Sequence, residues 1–439
     1  MSKRLIKKIS YAAVLLLSCN VINAQDGAYS SYSPYSIFGV GDICRQGTAY
    51  NRSMAGTGIA SRNHKFINYM NPAAITARDT LSFMMDFGLN GEGRVYNQGN
   101  VRSASNILNI SDVVLTVPIY KKSAFVAGIA PYSSTGYDFS HDITDPEIIG
   151  NTGNINYRSY GEGGLYEIFA GAAATFWNRF SIGGQFIYYF GNVDKSTTMT
   201  FSESSYRNVY SGYTLNLSAI GGKFGVQYEQ PIGAGLTLVA GATYKTSSKL
   251  KGEVTDYKYA TISSVTDTLK HNIDTLSHGS GVKLADEFGV GISLRRGDHW
   301  RVEFDYTRSD WRNSNLDKTI GFANSGVSKF KTTYSQSFRA GFEIVPNPND
   351  IRYYMRRCSY RAGLYYDRDY YKLDGNIVNS YGITLGMTFP IFRWFNGISI
   401  GVDLGQRGSK IGNMIRERYA MFVVGFNIHD IWFQKPKYE

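Results

Sequence analysis

The sequence predicts an all-β protein, a transmembrane antiparallel β-barrel of about 14 strands with an amino-terminal hatch that plugs its lumen. Apolar and polar residues alternate along most of the chain, as on both arms of the hairpin formed by residues 284–307. Aromatic residues contribute 15% of the chain, and no apolar run is long enough to cross a bilayer as a helix. A wall with lipid on one face and a polar lumen on the other requires this alternation.

Strand segments can be placed from residue 81 onward, and most are long enough to cross a membrane as tilted strands. They are separated by short turns that alternate with longer loops at residues 138–162, 251–282 and 312–329. Outer-membrane barrels of Gram-negative bacteria have short periplasmic turns and longer extracellular loops, so this pattern predicts that location. The segments are 81–96, 112–120, 124–137, 163–176, 180–195, 206–230, 236–250, 283–295, 299–311, 330–345, 356–370, 379–391, 397–407 and 416–428.

The alternation also assigns side chains to the two faces of the wall. The predicted outward, lipid-facing residues include Trp300, Val302, Phe304, Tyr306, Phe338, Phe342, Ile344, Tyr360, Leu364 and Tyr366. The predicted inward residues include Arg301, Glu303, Asp305, Arg339, Glu343, Arg361 and Asp367. Because these inward charges have both signs, we interpret them as wall charges that neutralise one another, with ion selectivity as the alternative.

The amino terminus predicts export. Residues 1–24 have the form of a secretory signal: a basic start, an apolar stretch at residues 11–17, and Ala24 before the expected cleavage site. An alternative is a lipobox at residues 16–19, in which Cys19 would be lipidated. The mature chain then holds Cys44 and Cys358, which either form a disulfide or, as the sequence favours, remain two unpaired thiols.

The charged residues exclude some function classes. The formal charge is +11, and the mature chain carries 42 Lys and Arg against 35 Asp and Glu, because residues 1–24 hold four cations and no anion. No basic cluster is interleaved with aromatic residues, so nucleic-acid binding is not expected. The six histidines have no metal-ligand spacing, and no nucleophile or phosphate-loop motif is present. We therefore expect no cofactor, no metal and no enzymatic activity.

Residues 25–80 differ from the rest of the chain. They are rich in Ser, Tyr, Gly and Asn and show no sustained period, which predicts a hatch folded into the lumen of a barrel formed by residues 81–439. An external tail is the alternative, although a tail would be more charged and less apolar than residues 66–70.

The hatch region carries the most informative motif. A Gly/Ala-rich stretch at residues 51–60 precedes the tripeptide Asn71-Pro72-Ala73, shortly before the first strand. This order resembles the amino-terminal hatch of the long-chain fatty-acid transporter (FadL) family. The resemblance implies a fourteen-strand barrel whose hatch blocks the lumen, and hydrophobic molecules that enter from outside and leave sideways through an opening in the wall. Asn71, Pro72 and Ala73 would form part of that hatch.

The expected function is an outer-membrane transporter for hydrophobic small molecules, such as long-chain fatty acids, by passive diffusion past the hatch. The apolar neighbours of the tripeptide, Phe66, Ile67, Tyr69 and Met70, are the candidates for the ligand path. The expected partners are the hydrophobic ligand and outer-membrane lipid. The alternative is a plugged barrel that acts as an assembly or secretion partner of other proteins. An apolar cavity reaching the hatch would favour transport, and a packed lumen would favour the alternative.

Overall fold

The structure is a computed structural model that describes residues 32–78, 82–99, 101–262, 265–276, 281–323, 328–392, 396–411 and 414–431. The predicted signal segment 1–24, including Cys19, lies outside the described residues. No helix in the described part is long and apolar enough to cross a membrane.

The described strands are numbered in chain order. They are β1 (Asp42–Ile43), β2 (Ser82–Gln98), β3 (Val101–Pro118), β4 (Ser123–Ile143), β5 (Ile155–Phe176), β6 (Phe180–Phe201), β7 (Asn208–Gly233), β8 (Leu236–Lys245), β9 (Ser248–Lys249), β10 (Lys251–Ile262), β11 (Val265–Thr275), β12 (Lys283–Leu284), β13 (Glu287–Arg296), β14 (Trp300–Asp310), β15 (Phe330–Thr332), β16 (Tyr334–Ile344), β17 (Ser359–Leu373), β18 (Asn376–Phe392), β19 (Asn396–Arg407) and β20 (Arg416–Ile431).

Fourteen of these strands close into one antiparallel barrel, which confirms the predicted fold and strand number. Consecutive barrel strands pair in chain order, and β2 pairs with β20 to close the ring. The barrel strands are β2 to β8, β13, β14 and β16 to β20. The strands β1, β9, β12 and β15 are only two or three residues long and are not part of the ring. The strands β10 and β11 form a longer hairpin outside the ring.

The predicted faces of the wall are confirmed. The outward side chain of Phe304 is 54% exposed, whereas its chain neighbours Glu303 and Asp305 are buried. The same alternation continues on the next strands, where Phe338 and Leu364 are exposed. An apolar band therefore surrounds the barrel, and the inward side chains include both polar residues and apolar residues that pack against the amino-terminal segment.

Several strands extend beyond their predicted ends. Residues 138–162, predicted as a loop, continue β4 and β5 and leave only a short helix, α1 (Pro146–Thr152), between them. The predicted loop 251–282 contains the hairpin of β10 and β11, and β10 pairs with the distal part of β7. These predictions were wrong because strands that rise above the membrane have water on both faces. The hydrogen-bonded ladder then continues while the apolar alternation ends.

Residues 32–78 lie inside the barrel, and we call this segment the hatch. It contains two 3-10 helices, Pro34–Ile37 and Pro72–Ala77, and a single helical turn, Ala49–Arg52. Its apolar side chains join inward residues of the wall in one buried cluster. The loop after β14 folds over the hatch, where the Phe322 carbonyl accepts a 3.0 Å hydrogen bond from the Gly39 N–H.

Candidate functional site: an opening in the wall and the hatch behind it

The barrel wall is interrupted between β3 and β4. These two strands pair only from Pro118 and Ala124 up to Val113 and Ile129. Beyond that point β3 stays paired with β2, and β4 stays paired with β5, but β3 and β4 no longer bond to each other. A break in the hydrogen-bonded wall, which we call the opening, therefore starts part-way along the two strands.

The local sequence explains why the strands separate there. The β2–β3 register shifts between Gly88 and Leu89, which leaves Ser111 as an extra residue on β3. On the other side, the β4–β5 register shifts between Pro131 and Ser133. A bulge bends its strand and increases the local twist, and proline cannot donate to a ladder. The opening thus lies between two strands that each contain an irregularity at the same level.

The opening begins inside the apolar band. Ile110 and Leu108 on β3 are 57% and 75% exposed. Ile110 and Leu108 pair with Leu89 and Gly91 of β2. Leu89 and Gly91 pair in turn with Val424 and Phe422 of β20, so these residues share two levels of the wall. Because the outer wall is still apolar at those levels, the break between β3 and β4 faces lipid rather than only water.

The hatch covers the β4 side of the opening. Its strand β1 pairs with β4, with Asp42 opposite Ser134 and Ile43 opposite Ser133. The N–H of Cys44 donates a 2.9 Å hydrogen bond to the Tyr132 carbonyl. The approach is close, because a Cβ on the preceding Gly41 would lie 2.5 Å from the Ser134 carbonyl oxygen. Gly41 also has φ +89°, which favours glycine.

Inward charges of the wall hold the hatch in place. The carboxylate of Asp305 accepts hydrogen bonds from the N–H groups of Gly58 (2.6 Å) and Ile59 (2.9 Å). Arg301 donates to the Tyr50 hydroxyl at 2.6 Å and to the Arg62 carbonyl at 3.1 Å. The interpretation that wall charges only neutralise one another was therefore incomplete, since they also bind backbone and side chains of the hatch.

A second group of charges extends this attachment across the lumen. Glu343 accepts from the Tyr50 hydroxyl at 2.9 Å and from Arg361 at 3.1 Å. Arg45 of the hatch pairs with Asp403, and more distantly with Asp367 at 3.5 Å. The hatch thus carries cations and hydroxyls that complete the charge balance of the wall.

The predicted tripeptide lies against β6 and β7. The side chain of Asn71 accepts from the Ala73 N–H at 3.0 Å and donates to the Ile59 carbonyl at 2.7 Å, so it caps the helix Pro72–Ala77 and ties it to the rest of the hatch. A Cβ on Gly183 would lie 2.5 Å from the backbone carbon of Pro72. Glycines in the wall therefore allow the tripeptide to approach closely.

The four apolar candidates do not lie along one open path. Ile67 and Tyr69 are buried, and the ring of Tyr69 stacks on Phe169 with centroids 4.9 Å apart. Met70 is partly buried near Gly47 and Gly58. A role for these residues in a ligand path remains a prediction.

The fourth candidate, Phe66, lies at the end of the barrel with the short turns. It stacks on Tyr50, with centroids 4.4 Å apart, and borders a cavity of about 80 Å³. Lys65 beside it contacts Asp298 of the β13–β14 turn at 2.8 Å. Burial raises the pKa of Asp298, but the hydrogen bond and charge of Lys65 outweigh it and lower that pKa below its usual range. This ion pair joins the hatch to the turn.

The family resemblance implied an opening in the wall, but neither its position nor strand β1 was anticipated from the sequence. Two signals could have indicated them: a proline, Pro131, within an alternating strand, and the polar pair Ser111-Asp112 between two apolar runs. Cys44 and Cys358 are both free thiols, as the sequence favoured. The described residues contain no group of His, Cys, Asp and Glu side chains arranged to hold a metal ion.

Comparison with known families identifies the chain. The model of the BamG family matches residues 5–439. The chain belongs to the BamG family. A search of curated proteins found no match to this BamG-family chain.

Solved structures show the same barrel at low sequence identity. The toluene transporter TbuX of Ralstonia pickettii is 14% identical, with a TM-score of 0.56 over 87% of this chain and 98% of that one. A FadL homologue from Pseudomonas aeruginosa is 12% identical, with a TM-score of 0.57 over 89% and 100%. The toluene transporter TodX of Pseudomonas putida is 11% identical, with a TM-score of 0.56 over 89% and 100%. This BamG-family chain therefore has the fold of FadL-like outer-membrane barrels of Gram-negative bacteria.

Proposed function

We propose that the protein is an outer-membrane transporter that admits small hydrophobic molecules by diffusion past the hatch. The observation that carries this proposal is the interrupted β3–β4 ladder inside the apolar band, with a strand of the hatch at its edge. A hydrophobic molecule that reached this opening from the lumen could leave sideways into lipid without crossing the polar headgroups. No cofactor is needed for such a route.

The site indicates the chemical class of the ligand less directly than it indicates the route. The opening is bordered by apolar side chains, Leu108, Ile110 and Ile129, and by the exposed Ile43 of the hatch. This border suits an apolar molecule without a fixed polar anchor. The structural neighbours are described as transporters of toluene and channels for monoaromatic hydrocarbons. Long-chain fatty acids and monoaromatic hydrocarbons are therefore the two ligand classes that we propose to compare.

A reversible lock on the hatch tests the proposal. Ile43 and Ser133 are Cα partners across the β1–β4 pair, a separation that a disulfide can span. The double variant Ile43→Cys/Ser133→Cys, with Cys44 and Cys358 replaced by Ser, should form a disulfide that fixes the hatch strand to the wall. We expect uptake of labelled fatty acid or toluene to fall on oxidation and to recover on reduction, because passage requires the hatch strand to move.

The matched control places a disulfide within the wall. Ile383 and Leu404 are Cα partners on β18 and β19, both face outward, and their strands are already paired. Oxidation of Ile383→Cys/Leu404→Cys should leave uptake unchanged. If the hatch-locked protein transports equally well when oxidised and reduced, the hatch strand does not gate the route. If neither form exceeds a strain without the barrel, transport itself is refuted.

A second candidate is a permanently plugged barrel that acts as an assembly or secretion partner of other proteins. The observation that favours it is the attachment of the hatch by charge-assisted bonds, among them those of Asp305 with Gly58 and Ile59. Failure of uptake in both redox states, together with loss of other outer-membrane proteins from a strain lacking this chain, would place this function ahead of transport.

A further inference from the structure

We infer that the outer face of β14, β16 and β17 binds a lipid that carries a phosphate headgroup, with an acyl chain in a groove of the apolar band and the phosphate at two arginines above it. This inference goes beyond the proposed transport function, because it concerns a lipid that stays on the wall rather than a ligand that crosses it. A groove, a row of tyrosines and a pair of arginines lie in that order along these strands, towards the end away from the short turns.

The groove lies over a small side chain in a row of large ones. Ala340 of β16 faces lipid between its register partners Phe304 of β14 and Leu364 of β17, which are 54% and 60% exposed. Together with the outward residues one level higher, they border an open groove of about 640 Å³. Because Ala340 lacks the bulk of its neighbours, the apolar surface is indented at this point, in a shape that suits a flexible apolar chain.

The next level of the wall marks the membrane interface. Tyr306, Phe338 and Tyr366 pair across the same three strands. The side chain of Gln336 donates a 2.8 Å hydrogen bond to the Tyr306 hydroxyl. Tyrosines, with an apolar ring and a polar tip, are enriched at the headgroup level of membranes. We therefore place the headgroups just above Tyr306 and Tyr366, at the end of the barrel that we expect to be extracellular.

Two arginines face outward directly above this level. Arg308 and Arg368 are both register partners of Gln336, two residues and about 7 Å beyond the tyrosines. Their guanidinium groups lie over the ring of Tyr334, at 5.0 Å and 4.0 Å from its centroid. Arg368 also donates a 2.9 Å hydrogen bond to the Tyr334 hydroxyl. Two cations are therefore held beside one ring at the level of the headgroups.

The wall does not balance the charge of these arginines. The carboxylate of Asp310, the register partner of Tyr334, accepts from Arg312 at 2.9 Å. Within the described residues neither Arg308 nor Arg368 forms an ion pair, and the Nε atom of Arg368 is buried without a hydrogen-bond partner there. Like charges repel, and a phosphate between the two guanidinium groups would relieve that repulsion and accept their N–H groups. The apolar groove directly below favours a phosphate that is attached to an acyl chain.

Native mass spectrometry of the complete purified protein in detergent tests this inference. The probe is lipid A with one phosphate, and the matched ligand is the same lipid after enzymatic removal of that phosphate. We expect Arg308→Gln and Arg368→Gln each to weaken binding of the phosphorylated lipid by about tenfold or more, because each removes a charged donor. Ala340→Phe fills the groove and should weaken binding to a similar extent. Inorganic phosphate should not compete with the lipid.

The matched control variants lie on β20, outside the groove. Ala420 lies at the level of Ala340 in the register of the intervening strands, and Arg418 is exposed two residues away from it. Ala420→Phe and Arg418→Gln make the same changes of bulk and charge, and both should leave lipid binding unchanged. Gel mobility without heating shows beforehand that each variant is folded.

Four results would overturn the inference. Equal losses in the groove variants and in the controls would show that lipid binds the barrel without a defined site. Equal binding of the dephosphorylated lipid would show that the arginines hold no phosphate, and competition by inorganic phosphate would assign them to a free anion. A dimer that dissociates on Ala340→Phe would assign the groove to a second copy of the chain. These results are independent of uptake, so failure of the transport proposal would be recognised separately.

Discussion

At the scale of single residues, the position of a side chain relative to lipid decides its tolerance to charge. Phe304 is 54% exposed on the lipid-facing wall, so an arginine there would have to desolvate in the membrane. We predict that Phe304→Arg lowers the yield of folded protein, because a cation at mid-bilayer depth costs roughly 2–4 kcal/mol. The fraction of folded protein recovered in vesicles would measure the yield, and urea unfolding there would measure the lowered free energy of unfolding.

Leu269 provides the matched control for this substitution. It is 58% exposed, but it lies on β11 of the hairpin above the band. Leu269→Arg should therefore fold with the yield of the unaltered protein. Equal losses in both variants would contradict the placement of the membrane around the barrel.

At the scale of elements, the hairpin of β10 and β11 and the β13–β14 turn should lie on opposite sides of the membrane. Cysteines introduced at Asn272 and at Arg296, in a background without Cys44 and Cys358, report their location, since both side chains are exposed. We expect an impermeant maleimide to label Asn272→Cys on intact cells and Arg296→Cys only after the outer membrane is opened. The reverse labelling pattern would show that the protein crosses the membrane in the opposite orientation.

At the scale of the whole molecule, we expect closure of the barrel and folding of the hatch to be separable. The ring closes through β2 and β20, and among the described residues no barrel strand begins before Ser82. Deleting residues 68–74 removes the Asn71-Pro72-Ala73 contacts but no wall pairing. We predict that the variant keeps its strand content and its resistance to unfolding in detergent at room temperature, while uptake of hydrophobic molecules changes.

Circular dichroism and gel mobility without heating measure this outcome. A loss of β-signal would show that the hatch is required for the wall to form. The hatch partners of Asp305, Arg301 and Glu343 include Gly58 and Tyr50, which lie outside the deleted residues. We therefore expect the deletion to leave these lumen charges with their partners, so that no buried charge is left uncompensated.

The sequence by itself determined which residues face lipid and how many strands form the ring. Alternation has a period of two, so it reports the environment of both faces of a strand, and Phe304 and Asp305 were assigned correctly for that reason. The same signal failed above the membrane, where β4, β5 and the hairpin continue with water on both sides. The composition of residues 25–80 also indicated a hatch, through its lack of any strand period.

Only the tertiary structure decided where the wall opens and what the hatch touches. Alternation carries no information about the edges of a strand, and the break beyond Val113 and Ile129 is a change in edge pairing alone. Likewise, the contact of Asp42 with Ser134 and the bonds from Gly58 to Asp305 join residues far apart in the chain. Their partners are set by closure of the barrel around the hatch, and no local pattern encodes that geometry.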